Sequence, residues 1–258
     1  LEGNLDDAII NVNTDPVLTL DGTADYLTAT SANFRSGDSA GAITAWVKTS
    51  SADAQMIFTA SDTATDVHSQ MVYLSNGYVY AEHLDGGAAV YSVRTTNQVH
   101  DGSWHHIAVV SNGSAISIYI DGVSETIVGT NTSGDWFGDM TSSKLDNVII
   151  GVLTRTSPLH YFNGSIADVR VYSAALATTD PAILASKINV DDSLTSIQAV
   201  HHWKLNSSTI STSGVGDDTG SATAIDLTPT SIVAGSFDYD AFSVNVQDPY
   251  DGSDVETR

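Results

Sequence analysis

The sequence predicts an all-β chain folded as an antiparallel two-sheet β-sandwich. Three observations carry this. Short runs rich in β-branched and aromatic residues alternate apolar with polar, a period of two rather than 3.6. Clusters of Gly, Asp, Asn and Ser punctuate these runs at roughly 8–12-residue intervals, the spacing of strands and turns. Only one stretch has helical character, so successive strands must meet as neighbours and pair antiparallel. At 258 residues the chain is long enough to bury one large core.

Taken in order, residues 1–16, "LEGNLDDAIINVNTDP", form a polar lead-in with one short apolar patch. "VLTLDG" from Val17 reads as a strand and its turn, "YLTAT" as a second strand, and "SANFRSGDSAG" as a loop. "AITAWVKTS" is a strong strand, followed by "QMIFTAS", "HSQMVYLSNG", "YVYAEHLDGG" and "AAVYSVRTT". The "SNG" and "DGG" triplets have the composition of tight hairpins. "WHHIAVVSNG", "AISIYIDG", "VSETIVG", "DNVIIGVL" and "YFNGSIADVRVYS" continue the rhythm. The helical stretch is "TTDPAILASKI" at 178–188, with Thr179 or Asp180 as N-cap and Pro181 at the first helical position. After it "IQAVHHWKLN", "AIDLTP" and "SFDYDAFSV" return to β pattern, and 247–258 form a polar tail.

The formal net charge is -22, from 9 basic and 31 acidic residues. Only four of the acids are glutamate (Glu2, Glu82, Glu125, Glu256); the rest are aspartate, a residue of turns and caps. This field repels nucleic acid and anionic membranes, and is compatible with Ca²⁺, with neutral glycans or with a salty medium. There is no cysteine, which excludes disulfides and thiolate chemistry. No apolar run reaches the length of a membrane span.

"ITAWVKT", "DGSWHHIAVV", "ISIYIDG" and "YFNGSIADVRVYSAAL" occur in this order over roughly residues 17–177. Together they resemble the laminin-G-like family of concanavalin A-like lectin and glucanase jelly rolls. The resemblance implies a jelly-roll sandwich over 17–190. It does not imply one function, because this fold hosts lectins, adhesion modules and glycan-cleaving enzymes. Members commonly open with a strand holding an aromatic residue, followed by an Asp-Gly-rich turn. Here such a stretch stands near the end instead, at 201–229. The segment 191–246 therefore either completes the same sandwich or begins a second module.

In "WHH", alternation puts Trp104 and His106 on one face and His105 on the other. With Trp104 on the core face, His106 is carried inside, and the pair cannot converge on one metal ion. Trp46, Trp104, Ile118, Ile120, Val169 and Val171 are the expected core contributors. Glycosidases of this fold need carboxylates that converge from one strand. None is present, and Glu82 and Glu125 stand alone. Tyr73, Tyr78, Tyr80, His83, Tyr91 and Arg94 form a cluster across successive strands that a lyase could use, or that ordinary cross-strand pairing explains.

The resemblance also implies a structural Ca²⁺ where the Asp-rich turn meets the last strand, with Asp168, Asp217 and Asp218 as its ligands. For ligand contact, "SGDWFGDM" places Trp136 and Phe137 between Asp135 and Asp139, which suits stacking on sugar rings. The long loop "VLTRTSPLHYFNG" adds Arg155, His160 and Tyr161. The expected function is non-catalytic glycan binding or adhesion at an extracellular, virion or cell surface, in multimeric display. A polysaccharide-degrading enzyme and a purely structural assembly module are the alternatives.

Overall fold

The structure, a computed structural model, describes residues 17–130, 133–141, 145–186, 194, 197–206, 215–233 and 236–238. The lead-in 1–16 and the tail 247–258 lie outside the described residues, as does part of the segment 191–246.

In chain order the strands are β1 (Val17–Asp21), β2 (Tyr26–Thr30), β3 (Gly41–Lys48), β4 (Gln55–Ser61), β5 (Ser69–Ser75) and β6 (Tyr78–Asp85). Next come β7 (Ala88–Gln98), β8 (Trp104–Ser111), β9 (Ile116–Ile120), β10 (Val123–Ser124), β11 (Ile127–Thr130) and β12 (Asn147–Ile150). The short β13 (Leu153–Thr154) and β14 (Pro158–Leu159) precede β15 (Asn163–Tyr172) and the helix α1 (Asp180–Ala185). The last three are β16 (His201–Trp203), β17 (Thr228–Thr230) and β18 (Phe237–Asp238). Among the described residues no helix is long and apolar enough to cross a membrane.

Two antiparallel sheets of eight strands face each other. Sheet I runs β10-β9-β8-β3-β15-β1-β18, with β16 also paired to β15. Sheet II runs β11-β7-β6-β5-β4-β12-β2-β17. Alternation sends Ile43, Ala45, Val47, Ile107, Val109, Ile118, Val169 and Val171 of sheet I into the core. They meet Phe58, Ala60, Val72, Leu74, Val79, Ala81, Val93 and Val148 of sheet II. The chain after α1 contributes to both sheets. His201–Trp203 pairs with Val169–Val171, Thr228–Thr230 with β2, and Phe237–Asp238 with β1. Trp203 is fully buried in the core they close.

Strand β15 carries an irregularity that sets its faces. Two residues, Asp168 and Val169, stand between the pairings Ala167↔Trp46 and Arg170↔Thr44, where β3 has only Ala45. Asp168 takes the left-handed region, at φ 53°. This bulge restores Val169 and Val171 to the core while Arg170 and Tyr172 point to the outer face of sheet I.

That outer face differs from the expectation. Trp104 and His106 do share a face, but it is the outer one. His106 pairs with Trp46 and stands edge-on to its ring at 5.4 Å. Trp46 and Trp104 are half-buried and stand outside the main core, a correction to both assignments. Alternation alone could not reveal this, because the outer face is itself apolar. Ala42, Val110 and Tyr172 are buried there against Leu176, Leu184, Leu194 and Ala199 of the covering segment.

The loop holding Trp136 closes one end of the sandwich. Trp136 is 0% exposed and Phe137 2%. Phe137 meets Phe34 edge-to-face at 5.0 Å, and the Trp136 ring lies 5.1 Å from Phe137. Asp139 Oδ2 accepts the Trp136 backbone N–H at 2.8 Å, and Asp38 O accepts that of Gly138 at 2.7 Å. Gly41 leaves room for the indole: a Cβ there would come 2.3 Å from Trp136 Nε1 and 2.4 Å from the Tyr172 carbonyl. Trp136→Ala is therefore expected to cost about 3–5 kcal/mol. Trp104→Ala, at a half-exposed site, should cost much less. Urea midpoints of the two variants test this, and equal losses would place Trp104 in the core after all.

Candidate functional site

The residues expected to hold Ca²⁺ are committed to other partners. Asp168 is 3% exposed and forms a buried ion pair with Arg170, Nε to Oδ1 at 3.0 Å. The same Oδ1 lies 2.6 Å from His202 Nε2. Burial works against its ionised form, but the His202 hydrogen bond and the Arg170 charge outweigh it and hold the carboxyl below the usual range. Asp218 Oδ2 meets His201 Nδ1 at 2.6 Å and accepts the N–H of Ile225, while Oδ1 accepts those of His202 and Gly220. Burial opposes this charge too, and the His201 bond leads the terms that lower its pKa. His202 thus sits between the two aspartates. Asp217 is half-buried, with Oδ1 unpartnered. Ca²⁺ wants several uncommitted oxygens. Here imidazoles, a guanidinium and amides occupy those of Asp168 and Asp218, and Asp217 alone keeps an unpartnered oxygen, so the set does not fit the ion. Among the described residues no three His, Asp or Glu side chains gather as a metal site.

The loop residues expected at a ligand surface are dispersed. Trp136 and Phe137 are core side chains and offer no exposed face for stacking. Asp139 is exposed and caps its own turn, while Asp135 bonds Ser133. Arg155 reaches the Asp66 carbonyl at 3.0 Å, with its Nε 3.7 Å from the Asp66 carboxylate. His160 is exposed at φ 59°, and its carbonyl accepts the Met56 N–H. Tyr161 tilts against Tyr26 at 6.2 Å. The β13–β14 hairpin in this loop lies on the outer face of sheet II, where Leu153 and Leu159 pack with Met56, Met71, Tyr73 and Leu84. Ser61 Oγ donates to the Thr154 carbonyl at 2.6 Å and fixes it.

Beside that hairpin the outer face is open, and here the structure gathers a site. Asn76 and Gly77 form a two-residue turn with both φ positive, 49° and 75°. That turn sets the register Ser75↔Tyr78, Tyr73↔Tyr80 and Met71↔Glu82. Extended across the sheet, one row reads Met56, Tyr73, Tyr80, Arg94 and Val128. The adjoining row reads Thr59, Met71, Glu82, Ser92 and Thr130. From β5 to β11 the platform spans about 14 Å, three strand spacings.

Its central side chains, Tyr73, Tyr80, Glu82, Ser92 and Arg94, are half-buried, and contacts hold them in place. The Tyr73 and Tyr80 rings stack at 4.8 Å with 11° between planes. The Arg94 guanidinium lies 4.4 Å over the Tyr78 ring, and its Nη1 donates to the Thr95 carbonyl at 3.0 Å. Glu82 Oε2 accepts from Ser92 Oγ at 2.8 Å and from the Tyr73 hydroxyl at 3.4 Å. Burial, and then the charge of Glu82, push the Tyr73 hydroxyl above the usual phenol value, so it stays protonated at neutral pH. His83 and Tyr91, grouped with these residues in the sequence, point the opposite way into the core. There the His83 imidazole bonds Gln70, and Gln70 bonds Tyr91. Glu82, read as isolated in the sequence, sits at the centre of the platform.

Comparison with known proteins adds a family. The Laminin_G_3 model, described as the concanavalin A-like lectin/glucanases superfamily, matches residues 21–180. The chain belongs to this superfamily. No curated protein matches it. Solved structures of similar fold include the CBM40 of a Ruminococcus gnavus IT-sialidase bound to alpha2,3 sialyllactose, with TM-score 0.55 and 17% identity over 66% of this chain and 96% of that one. A putative carbohydrate binding protein from Bacteroides ovatus gives 0.55 and 16% over 83% and 58%. Domain 4 of AbnA, a GH43 extracellular arabinanase from Geobacillus stearothermophilus in complex with arabinotriose, gives 0.50 and 21% over 65% and 75%. At these identities the likeness establishes the laminin-G-like jelly roll and nothing finer.

Two outcomes follow from the buried groups of this superfamily member. Asp168→Ala leaves the Arg170 guanidinium buried without its carboxylate, and should destabilise by roughly 3–5 kcal/mol. The loss should be the same in EDTA and in millimolar Ca²⁺, as thermal melts would show. The second concerns His106, 1% exposed, whose Nδ1 lacks a hydrogen-bond partner. Burial pushes its imidazole down to about 4 from an ordinary 6.5. Between those values the unfolded chain binds the proton and the folded one does not. Stability is therefore full above about pH 6.5 and is lost as pH falls toward 4. At pH 5 the loss should be about 2 kcal/mol relative to pH 7. His105, whose pKa its Asp121 hydrogen bond raises, acts in the opposite sense. His106→Gln should flatten the acid limb when denaturation is followed from pH 7 to 5, and an unaltered slope would mean the imidazole is already protonated in the fold.

Proposed function

We propose that this chain is a non-catalytic carbohydrate-binding module whose ligand lies across the tyrosine row on the outer face of sheet II. The observation that carries this is the fixed, half-exposed set of Tyr73, Tyr80 and Tyr78, flanked by Glu82 and Arg94 and walled by the β13–β14 hairpin. Flat rings stack on the apolar faces of sugars, and a carboxylate and guanidinium beside them bond hydroxyls directionally. The structural neighbours that carry carbohydrate-binding names support the reading, two of them holding an oligosaccharide.

Catalysis fits the platform less well. Two-carboxylate hydrolysis needs a pair of acids flanking one bond. Glu82 has no second carboxylate in its own row or in the Tyr73–Tyr80 row. A lyase base would need a readily ionised phenol, and that of Tyr73 is pushed the other way. Stacking on a shallow face binds weakly at each copy, so useful avidity calls for several copies together, as on a surface, fibre or particle. Extracellular or surface display belongs to this reading.

Tyr80→Ala is expected to weaken binding to any glycan that the wild type captures on an array by roughly tenfold, with little change in melting temperature. Trp136→Ala should lose binding only together with stability. Release of reducing or unsaturated ends from a polysaccharide by the wild type would replace the binding reading with the enzymatic one.

A further inference from the structure

Arg94 distinguishes itself among the arginines. Of the four described, Arg35 holds Asp38 at 2.6 Å, Arg155 faces Asp66 at 3.7 Å, and Arg170 holds Asp168 at 3.0 Å. Among the described residues no carboxylate stands within ion-pair distance of Arg94, although the chain carries 31 acids against 9 bases. It is nonetheless held in place, its plane on the Tyr78 ring and Nη1 on the Thr95 carbonyl. A guanidinium has five N–H donors in a rigid fork, so this anchoring leaves an edge able to bond further. Arg94 itself stands in the row of Tyr73 and Tyr80, where a stacked sugar would lie.

We infer that the platform is built for an acidic sugar, with Arg94 pairing to the carboxylate of a uronic or sialic acid unit. The inference rests on the glycan-platform reading and narrows it to one substrate class. The two sugar-bound neighbours differ on this point, one holding a sialylated and one a neutral oligosaccharide, so the choice falls to this chain's own residues. The net charge opposes an anionic ligand mainly at long range. Exposed charges more than about 8 Å away are largely screened at physiological salt. The nearest acid in the platform, Glu82, has its Oε2 engaged by Ser92 and Tyr73. A bidentate guanidinium–carboxylate contact supplies geometry as well as charge.

The test uses the full chain against a panel of uronic- and sialic-acid oligosaccharides, each paired with its carboxyl-reduced form. The wild type should bind at least one carboxylated member roughly tenfold tighter than its reduced partner, the gain of a charge-assisted hydrogen bond. Arg94→Gln should bring that member down to the level of its partner, with the melt unchanged. Raising the salt concentration should narrow the wild-type gap. Equal binding of both members by the wild type would overturn the inference, and so would an equal loss on both in Arg94→Gln; either leaves the glycan platform standing. Binding that survives Tyr80→Ala undiminished, or no binding in either set, removes the platform reading and the inference with it.

Discussion

The ion pair between Asp168 and Arg170 governs how the chain closes. Both groups are buried, at 3% and 1% exposure, on a strand that lines the core with its other face. A buried charge without a partner costs several kcal/mol, so neither residue is tolerable alone. The bulge at Asp168 lets them coexist. It inserts one residue, turns Asp168 toward Arg170, and returns Val169 and Val171 to the core. His202 then docks on the same carboxylate, and its backbone N–H bonds Asp218. A polar cluster on the outer face of sheet I thus fixes β16, and β16 delivers Trp203 into the core. Hydrophobic closure and charge compensation are one event at this place.

Both sheets are packed on two sides, and the difference between them makes the site. The segment after β15 covers the outer face of sheet I and buries Ala42, Val110 and Tyr172. Among the described residues sheet II receives only the β13–β14 hairpin, which covers Met56 and Met71 and stops beside Tyr73. The remaining strip carries aromatic and charged side chains that hold one another in place. Rigid, partly desolvated side chains lose little freedom when a ligand arrives.

Much of the architecture was legible in the sequence, because a period of two interrupted by turn residues admits few alternatives. The core positions of Ile118 and Ile120 follow from alternation alone, whereas Val169 and Val171 reach the core through the bulge. Alternation does not say which of two apolar faces is the inner one, and Trp46 and Trp104 fell on the outer side for that reason. The Gly- and Asp-rich surroundings of Trp136 mark a loop correctly, but a loop can plug a core, and Gly41, which makes room for the indole, lies 95 residues upstream. The platform was closer to view. Asn76-Gly77 is a two-residue hairpin signal, and counting outward from it pairs Tyr73 with Tyr80 and Met71 with Glu82. That count separates Glu82 and Tyr80 from His83. What no local pattern supplied was the bulge at Asp168, whose carboxylate meets Arg170 two residues on and also His202, 34 residues away.

The strand connectivity also bears on the order of folding. Strands β4 to β7 form a meander of neighbouring hairpins, so the tyrosine platform is assembled from contacts close in sequence. The sandwich itself is closed by contacts of the opposite kind: Val17 pairs with Asp238, and Leu27 with Pro229. Loop closure over some two hundred residues is slow, since the entropy must be lost before those contacts repay it. On the ribosome the tyrosine-bearing hairpins emerge well before the strands that seal the core. Until then the apolar edges of β1 and β2 and the inner face of β15 stand open. Such a chain spends its most aggregation-prone interval with its tyrosine platform already formed and its interior still waiting for β16 to β18.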